Sequence, residues 1–255
     1  MAVILPFLMF KNIFCFLFVI TLFFSCSEFE RKTEKELAQE KFGDIPLVEY
    51  KPSPNPDKNA YFGDLHVHTE NSFDAYTFGT TSSPADAYEF AKGKAIKHPT
   101  GYAIQLSRPL DFYAVTDHGV FMGIVKEAAD TSSEISKYEV TEPFHNLNEN
   151  VSGSILSILR RANSFRPFAQ ALASGIEDGT IDINLLQEVS NGVWQRTIEA
   201  ADQAYVPGEF TTFAAYEYTS SVELYDNYLH RNVIFRDTKN LPKRLFTRGD
   251  SLNPE

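Results

Sequence analysis

Residues 61–74 read YFGDLHVHTENSFD, and the fold turns on what this stretch is. The run AYFGDLHVH has the pattern of a short strand. His66 and His68 stand two residues apart in it, so both side chains leave the same face. A shared metal ion needs that placement. Neutral imidazole with carboxylate oxygen suits Zn²⁺, Mn²⁺ or Fe²⁺. The bland alternative is a pair of histidines satisfied by backbone hydrogen bonds. Asp74 reads either as a ligand or as a loop cap, Asp64 as an orienting or turn residue, and Glu70 as a solvated side chain.

Further along, SPADAYEFAKG carries helix-start chemistry, with Ser83 as N-cap, Pro84 at the first helical position and Asp86 at capping-box spacing. After a turn-rich stretch, LDFYAVTDHG is an apolar strand that ends abruptly at Asp117–His118–Gly119. Strand, helix and strand in that order predict a parallel βαβ unit, whose strand carboxyl ends are where chemistry collects. Residues 120–209 are helical by pattern, with one apolar stripe at Ile155, Leu156, Leu159 and Ala162. A second runs through Leu185, Leu186, Val189, Val193, Trp194 and Ile198. A third strand, FTTFAAYEYTS, carries Glu217, and a fourth, HRNVIF, opens with His230. The remaining histidines, His98 and His145, fall in polar loops and read as structural or surface residues.

Composition narrows the function classes. With 43% apolar and 14% aromatic residues in 255 positions, the chain is a globular α/β protein rather than a disordered one. Its net charge of −11 and pI near 5.0 argue against a nonspecific grip on nucleic acid or anionic lipid. A phosphate-bearing substrate therefore needs another holder, and a metal cluster would serve.

Both cysteines, Cys15 and Cys26, lie near the amino terminus, so no thiols are at hand for a closed structural zinc site. The apolar run Ile13–Phe24 suits a signal-peptide core and is short for a membrane span. Ser25–Cys26 resembles a loose bacterial lipobox, so residues 1–25 read as a lipoprotein signal peptide and Cys26 as the lipidated first residue. A single amino-terminal anchor helix is the other reading. Residues 26–60, charged and then proline-rich, read as a flexible tether to a domain over 61–255. Ten apolar residues precede Lys11, whereas a start at Met9 gives an ordinary positively charged leader.

GDLHVHT, DFYAVTDHG, YEYTS and HRNVIF, in that order, resemble the polymerase-and-histidinol-phosphatase (PHP) superfamily. Within it they resemble the branch known as domain of unknown function 3604, whose members are often bacterial envelope lipoproteins. The resemblance implies part of a distorted (β/α)7 barrel, here with a helical insertion between the second and third conserved strands that roofs the site. It implies two or three divalent metal ions, Zn, Mn or Fe. It assigns His66, His68, Asp74, His118, Glu217 and His230 as metal ligands, with Glu217 bridging metals. Asp117 becomes a ligand or the hydrogen-bond partner of an imidazole, and joins Glu217 as a catalytic candidate. Arg231 is a candidate for pairing with a substrate phosphate.

The family pattern closes with a late histidine and an Asp-x-His motif, and no histidine follows His230 here. The chain thus reads as the front part of a longer protein. The expected activity is hydrolysis of a small-molecule or glycan-linked phosphoester by metal-activated water, in the cell envelope, on an outer-membrane lipoprotein facing periplasm or cell surface. One alternative is an amidohydrolase-like enzyme cutting C–N or C–O bonds. The other is an envelope lipoprotein that binds metal or glycan without turnover.

Overall fold

A computed structural model of the chain describes residues 58–149, 151, 154–222 and 227–250. The expected signal peptide (residues 1–25), Cys26 and nearly all of the expected tether lie outside the described residues.

The first strand, β1 (Gly63–Val67), leads through a tight polar turn into the short helix α1 (Phe73–Phe78). Helix α2 (Pro84–Ala91) starts as its sequence dictates. The Asp86 amide donates to Ser83 Oγ at 3.2 Å, and the Ser83 amide donates back to the Asp86 carboxylate at 2.9 Å. A two-residue pairing of β2 (Ile96–Lys97) with β3 (Ala103–Ile104) occupies the turn-rich stretch. Then comes β4 (Phe112–Val115), buried along most of its length as a parallel central strand should be.

The helical stretch that follows consists of α3 (Ile124–Ala129), two 3-10 segments (Ile135–Lys137 and Glu139–Phe144), α4 (Ile155–Asp178) and α5 (Ile183–Ala204). Helix α5 ties the layers together because its apolar face drifts around it along its length. Leu186 joins the core formed by α3, the 3-10 segments and α4, whereas Val193, Trp194 and Ile198 join a cluster with Met122, Tyr216 and Tyr218. Ala201 and Ala204 pack with Tyr88, Tyr113 and Val115.

Strand β5 (Thr211–Phe213) completes a parallel sheet of order β1-β4-β5. Strands β6 (Ala215–Val222) and β7 (Asn227–Ile234) form an antiparallel pair. The fold is thus mixed α/β, with both parallel and antiparallel sheets.

Three features differ from the sequence reading. The run expected as one strand over 210–220 is broken at Ala214, where the first part pairs with β4 and the second with β7. Ala214 gives its carbonyl to the Phe235 amide at 3.0 Å, so the break keeps its hydrogen bonds. His230 sits inside β7 rather than opening it. Of the stripe expected on α4, Leu156 and Leu159 face solvent, 78% and 53% exposed; the helix buries Phe168 and Leu172.

Candidate metal centre

Local structure aims each candidate ligand at one place. His66, near the end of β1, and His68, the residue after its end, both turn to Glu217. The chain then turns at Thr69–Ser72, where the Ser72 amide donates to the Thr69 carbonyl at 3.1 Å, and this sets Asp74 into the first turn of α1. Beyond β4, the Glu217 amide donates to the Asp117 carbonyl and the Gly119 amide donates to the Glu217 carbonyl, both at 2.9 Å. These two bonds set His118 beside Glu217 in a parallel bridge. A Cβ on Gly119 would lie 2.8 Å from the Tyr216 ring, so the close approach requires glycine. Across the antiparallel pair, His230 stands opposite Thr219 and Asn232 opposite Glu217, on the same sheet face.

Glu217 is the hub. Its side chain is 1% exposed, and each oxygen meets two imidazoles. His66 Nε2 and His68 Nε2 lie 2.9 and 2.7 Å from Oε2. His230 Nδ1 bonds to Oε1, with His118 Nδ1 at 3.5 Å from the same oxygen. Asp74 forms a second hub: Oδ1 lies 3.1 Å from His68 Nδ1, and Oδ2 lies 3.4 Å from His118 Nε2. Ser72 Oγ donates to Asp74 Oδ1 at 2.6 Å and accepts from the His118 amide at 3.2 Å. The rim and the back of the site differ. His66 and His230 are largely exposed, whereas His118 is buried beneath Phe73, which stacks on it at 4.5 Å. Phe165 of α4 stacks in turn on Phe73 at 4.5 Å, so the insertion reaches the site through these two rings.

The charges are strongly coupled. Burial works to lower the pKa of His68, but carboxylates at both of its nitrogens outweigh it and raise the value to about 10. Burial likewise pushes against the ionised forms of Asp74 and Glu217. Contacts with His118, His68 and Ser72 nevertheless hold Asp74 well below the usual carboxylate range. Glu217 falls to about 2 through His68, His118 and His230. Without a cation, His68 holds a proton between the two carboxylates where a cation would bind.

The structure brings His66, His68, Asp74, His118, Glu217 and His230 together as three overlapping ligand groups. These are His66–His68–Glu217, His68–Asp74–His118 and His118–Glu217–His230, with the ligand atoms of each group within 4.8 Å of one another. The donor set fits divalent cations that accept nitrogen and oxygen ligands. A neutral imidazole offers one lone pair, so His68 and His118 can each serve only one of their two groups at a time. Glu217, with two oxygens, can serve both of its groups.

Asp117 is placed differently. Its carboxylate is fully buried and accepts from the Thr69 hydroxyl at 2.6 Å and from the Thr69 amide. It therefore pins the turn after β1 to the end of β4 and does not meet an imidazole. Burial raises its pKa to about 6, against the two Thr69 hydrogen bonds. Arg231 stands opposite Tyr218, and alternation starts its side chain from the sheet face away from His230. Asp64 accepts from the His66 amide at 3.0 Å, a turn-type contact. Glu70 is not solvated, since Lys126 Nζ reaches it at 2.6 Å. Sequence reasoning passed over two hydroxyls: Ser72, inside the motif, and Thr219, two residues from Glu217 and so on its face of β6. Two cavities, of about 840 and 540 Å³, are lined by none of the six convergent residues.

Comparison with known families agrees with the motif order. A family model described as "Protein of unknown function (DUF3604)" matches residues 55–255, and the chain belongs to that family. No curated protein and no solved structure matches it.

Proposed function

We propose that this DUF3604 protein is a metal-dependent hydrolase of phosphoesters, built as part of a PHP-type (β/α)7 barrel. The observation that carries the reading is the buried Glu217 carboxylate with two imidazoles at each oxygen. A carboxylate so flanked is suited to holding two cations side by side. His66 and His68 would complete one side, and His118 or His230 the other. The parallel order β1-β4-β5, with ligands just after β1 and β4, supports the barrel reading.

Charge favours an anionic substrate. The site combines two carboxylates, Asp74 and Glu217, with imidazoles that ligate in neutral form. Two divalent cations would leave an excess of about two positive charges, which a phosphate group complements better than a neutral amide does. Bound cations would supply Lewis acidity and a water acidic enough to attack at neutral pH. The chain's own residues do the rest. Glu217 fixes the spacing, Ser72 and Asp74 orient His68, the Phe73 ring shields the back wall, and the exposed His66 and His230 mark the side from which substrate enters.

An outer-membrane lipoprotein anchored through Cys26 is part of the same proposal and rests on residues 1–26 alone. No helix among the described residues is long and apolar enough to cross a membrane. The test is metal analysis of the full chain together with assays on p-nitrophenyl phosphate and bis(p-nitrophenyl) phosphate. Stoichiometric metal and turnover, both lost in His66→Ala and Glu217→Ala, support the proposal. Firmly bound metal with no turnover of phosphate or amide substrates points to the binding-protein alternative.

A further inference from the structure

Thr219 lies between two metal ligands and is itself assigned no role by the motifs. Its Oγ1 is 2.6 Å from His118 Nδ1 and 3.4 Å from Glu217 Oε1, and both Thr219 and His118 are buried. The direction of these contacts follows from what each atom can do. An ionised carboxylate only accepts, so the Thr219 hydroxyl hydrogen is drawn toward Glu217 Oε1. That leaves an Oγ1 lone pair facing His118. With a cation between His118 Nε2 and Asp74 Oδ2, now 3.4 Å apart, the Nε2 lone pair would serve the cation and the proton of the neutral imidazole would sit on Nδ1, donated to Thr219.

We propose that Thr219 is a positioning residue that selects the Nδ1–H tautomer of His118 and so commits this histidine to the Asp74 ligand group instead of the Glu217–His230 group. The proposal rests on the metal-site reading above and sharpens it. Of the two groups His118 could join, the hydroxyl leaves only one available. Glu217 and His230 must then hold their cation without His118, and Asp74 becomes a ligand rather than a loop cap. Metal-bound histidines are held in this way by the partner of their second nitrogen, and losing that partner weakens metal binding about tenfold to a hundredfold.

The experiment uses the full chain labelled with ¹⁵N-histidine, titrated with Zn²⁺ and read by long-range ¹H–¹⁵N NMR. The expected result is a His118 signal with Nδ1 protonated and Nε2 shifted by the metal. Thr219→Val keeps the shape and removes the hydroxyl; it should weaken one Zn²⁺ about tenfold or more, and Thr219→Ser should restore it. A zinc-loaded wild type with His118 protonated on Nε2 would overturn the proposal. So would a Thr219→Val variant that matches wild type in Zn²⁺ affinity and His118 signals. A wild type that binds no Zn²⁺ at all would overturn the metal-site reading itself, and this inference with it.

Discussion

Metal binding at this site should expel a proton from His68, and the size of the effect follows from its two carboxylate partners. In the metal-free chain His68 Nε2 lies 2.7 Å from Glu217 and Nδ1 3.1 Å from Asp74, which raise its pKa to about 10 against the effect of burial. A cation that takes either nitrogen must displace that proton. Between pH 7.5 and 9 an ordinary histidine is already neutral, so among the protein ligands the pH dependence in this window comes from His68. The loss of this dependence in Asp74→Asn separates it from ionisation of a metal-bound water. Displacing one proton makes the apparent affinity rise about tenfold per pH unit, or about thirtyfold across the window. Isothermal titration with Zn²⁺ in two buffers of different ionisation enthalpy counts the protons, and about one should leave per chain. Asp74→Asn removes one of the two carboxylates that hold the proton, so fewer protons should be released and the pH dependence should flatten. Metal binding with no proton release and an affinity constant across the window would refute the assignment of His68 as a ligand held between Glu217 and Asp74.

Stability of the metal-free chain should follow the same groups. His68, raised from 6.5 to about 10, contributes fully below about 6.5 and loses its contribution as pH rises through about 10. Glu217, depressed from 4.5 to about 2, contributes above about 4.5 and loses it as pH falls through about 2. Asp117, raised from 3.8 to about 6, contributes below about 3.8 and loses it as pH rises through about 6. Thermal melts in excess chelator should therefore show the highest Tm at about pH 4.5–5, and a Tm that climbs steadily to pH 9 would contradict this. Gly119→Ala puts a methyl 2.8 Å from the buried Tyr216 ring; urea denaturation should show a loss of about 1–3 kcal/mol, and metal affinity should fall with it because Glu217 is the next residue. Trp194→Ala empties a fully buried position and removes the Nε1–H bond to the Pro242 carbonyl, and should cost about 3–5 kcal/mol. Leu156→Ser, at an exposed position on α4, should stay within about 0.5 kcal/mol of wild type.

The parts of the site readable in the sequence were those set by short-range periodicity. An alternation of two pointed to His66 and His68 acting together, and Ser83, Pro84 and Asp86 announced a helix that starts where they say. Three later motifs with a histidine or glutamate at or near a strand were enough to point to convergence. What stayed hidden depends on long-range contacts. Nothing in FTTFAAYEYTS marks Ala214 as a break, because every residue there tolerates a strand; the break comes from competition between β4 and β7 for the same run. The helical period on α4 is real, but which stripe is buried depends on the neighbours, and Phe165 and Phe168 face α1 and the 3-10 segment while Leu156 and Leu159 face water. Asp117 looked like a ligand from its place beside His118, and only the tertiary structure shows Thr69 taking its carboxylate. Hydroxyls such as Ser72 and Thr219 have no sequence signature, since serine and threonine are common in turns and strands alike.

Anomalous scattering from crystals of the zinc-loaded chain tests the central claim most directly. The account predicts two zinc peaks flanking the Glu217 carboxylate, one beside His66 and His68 and one beside His230. A Glu217 carboxylate that touches no metal in crystals where zinc is bound, or zinc bound at none of the three ligand groups, would contradict it.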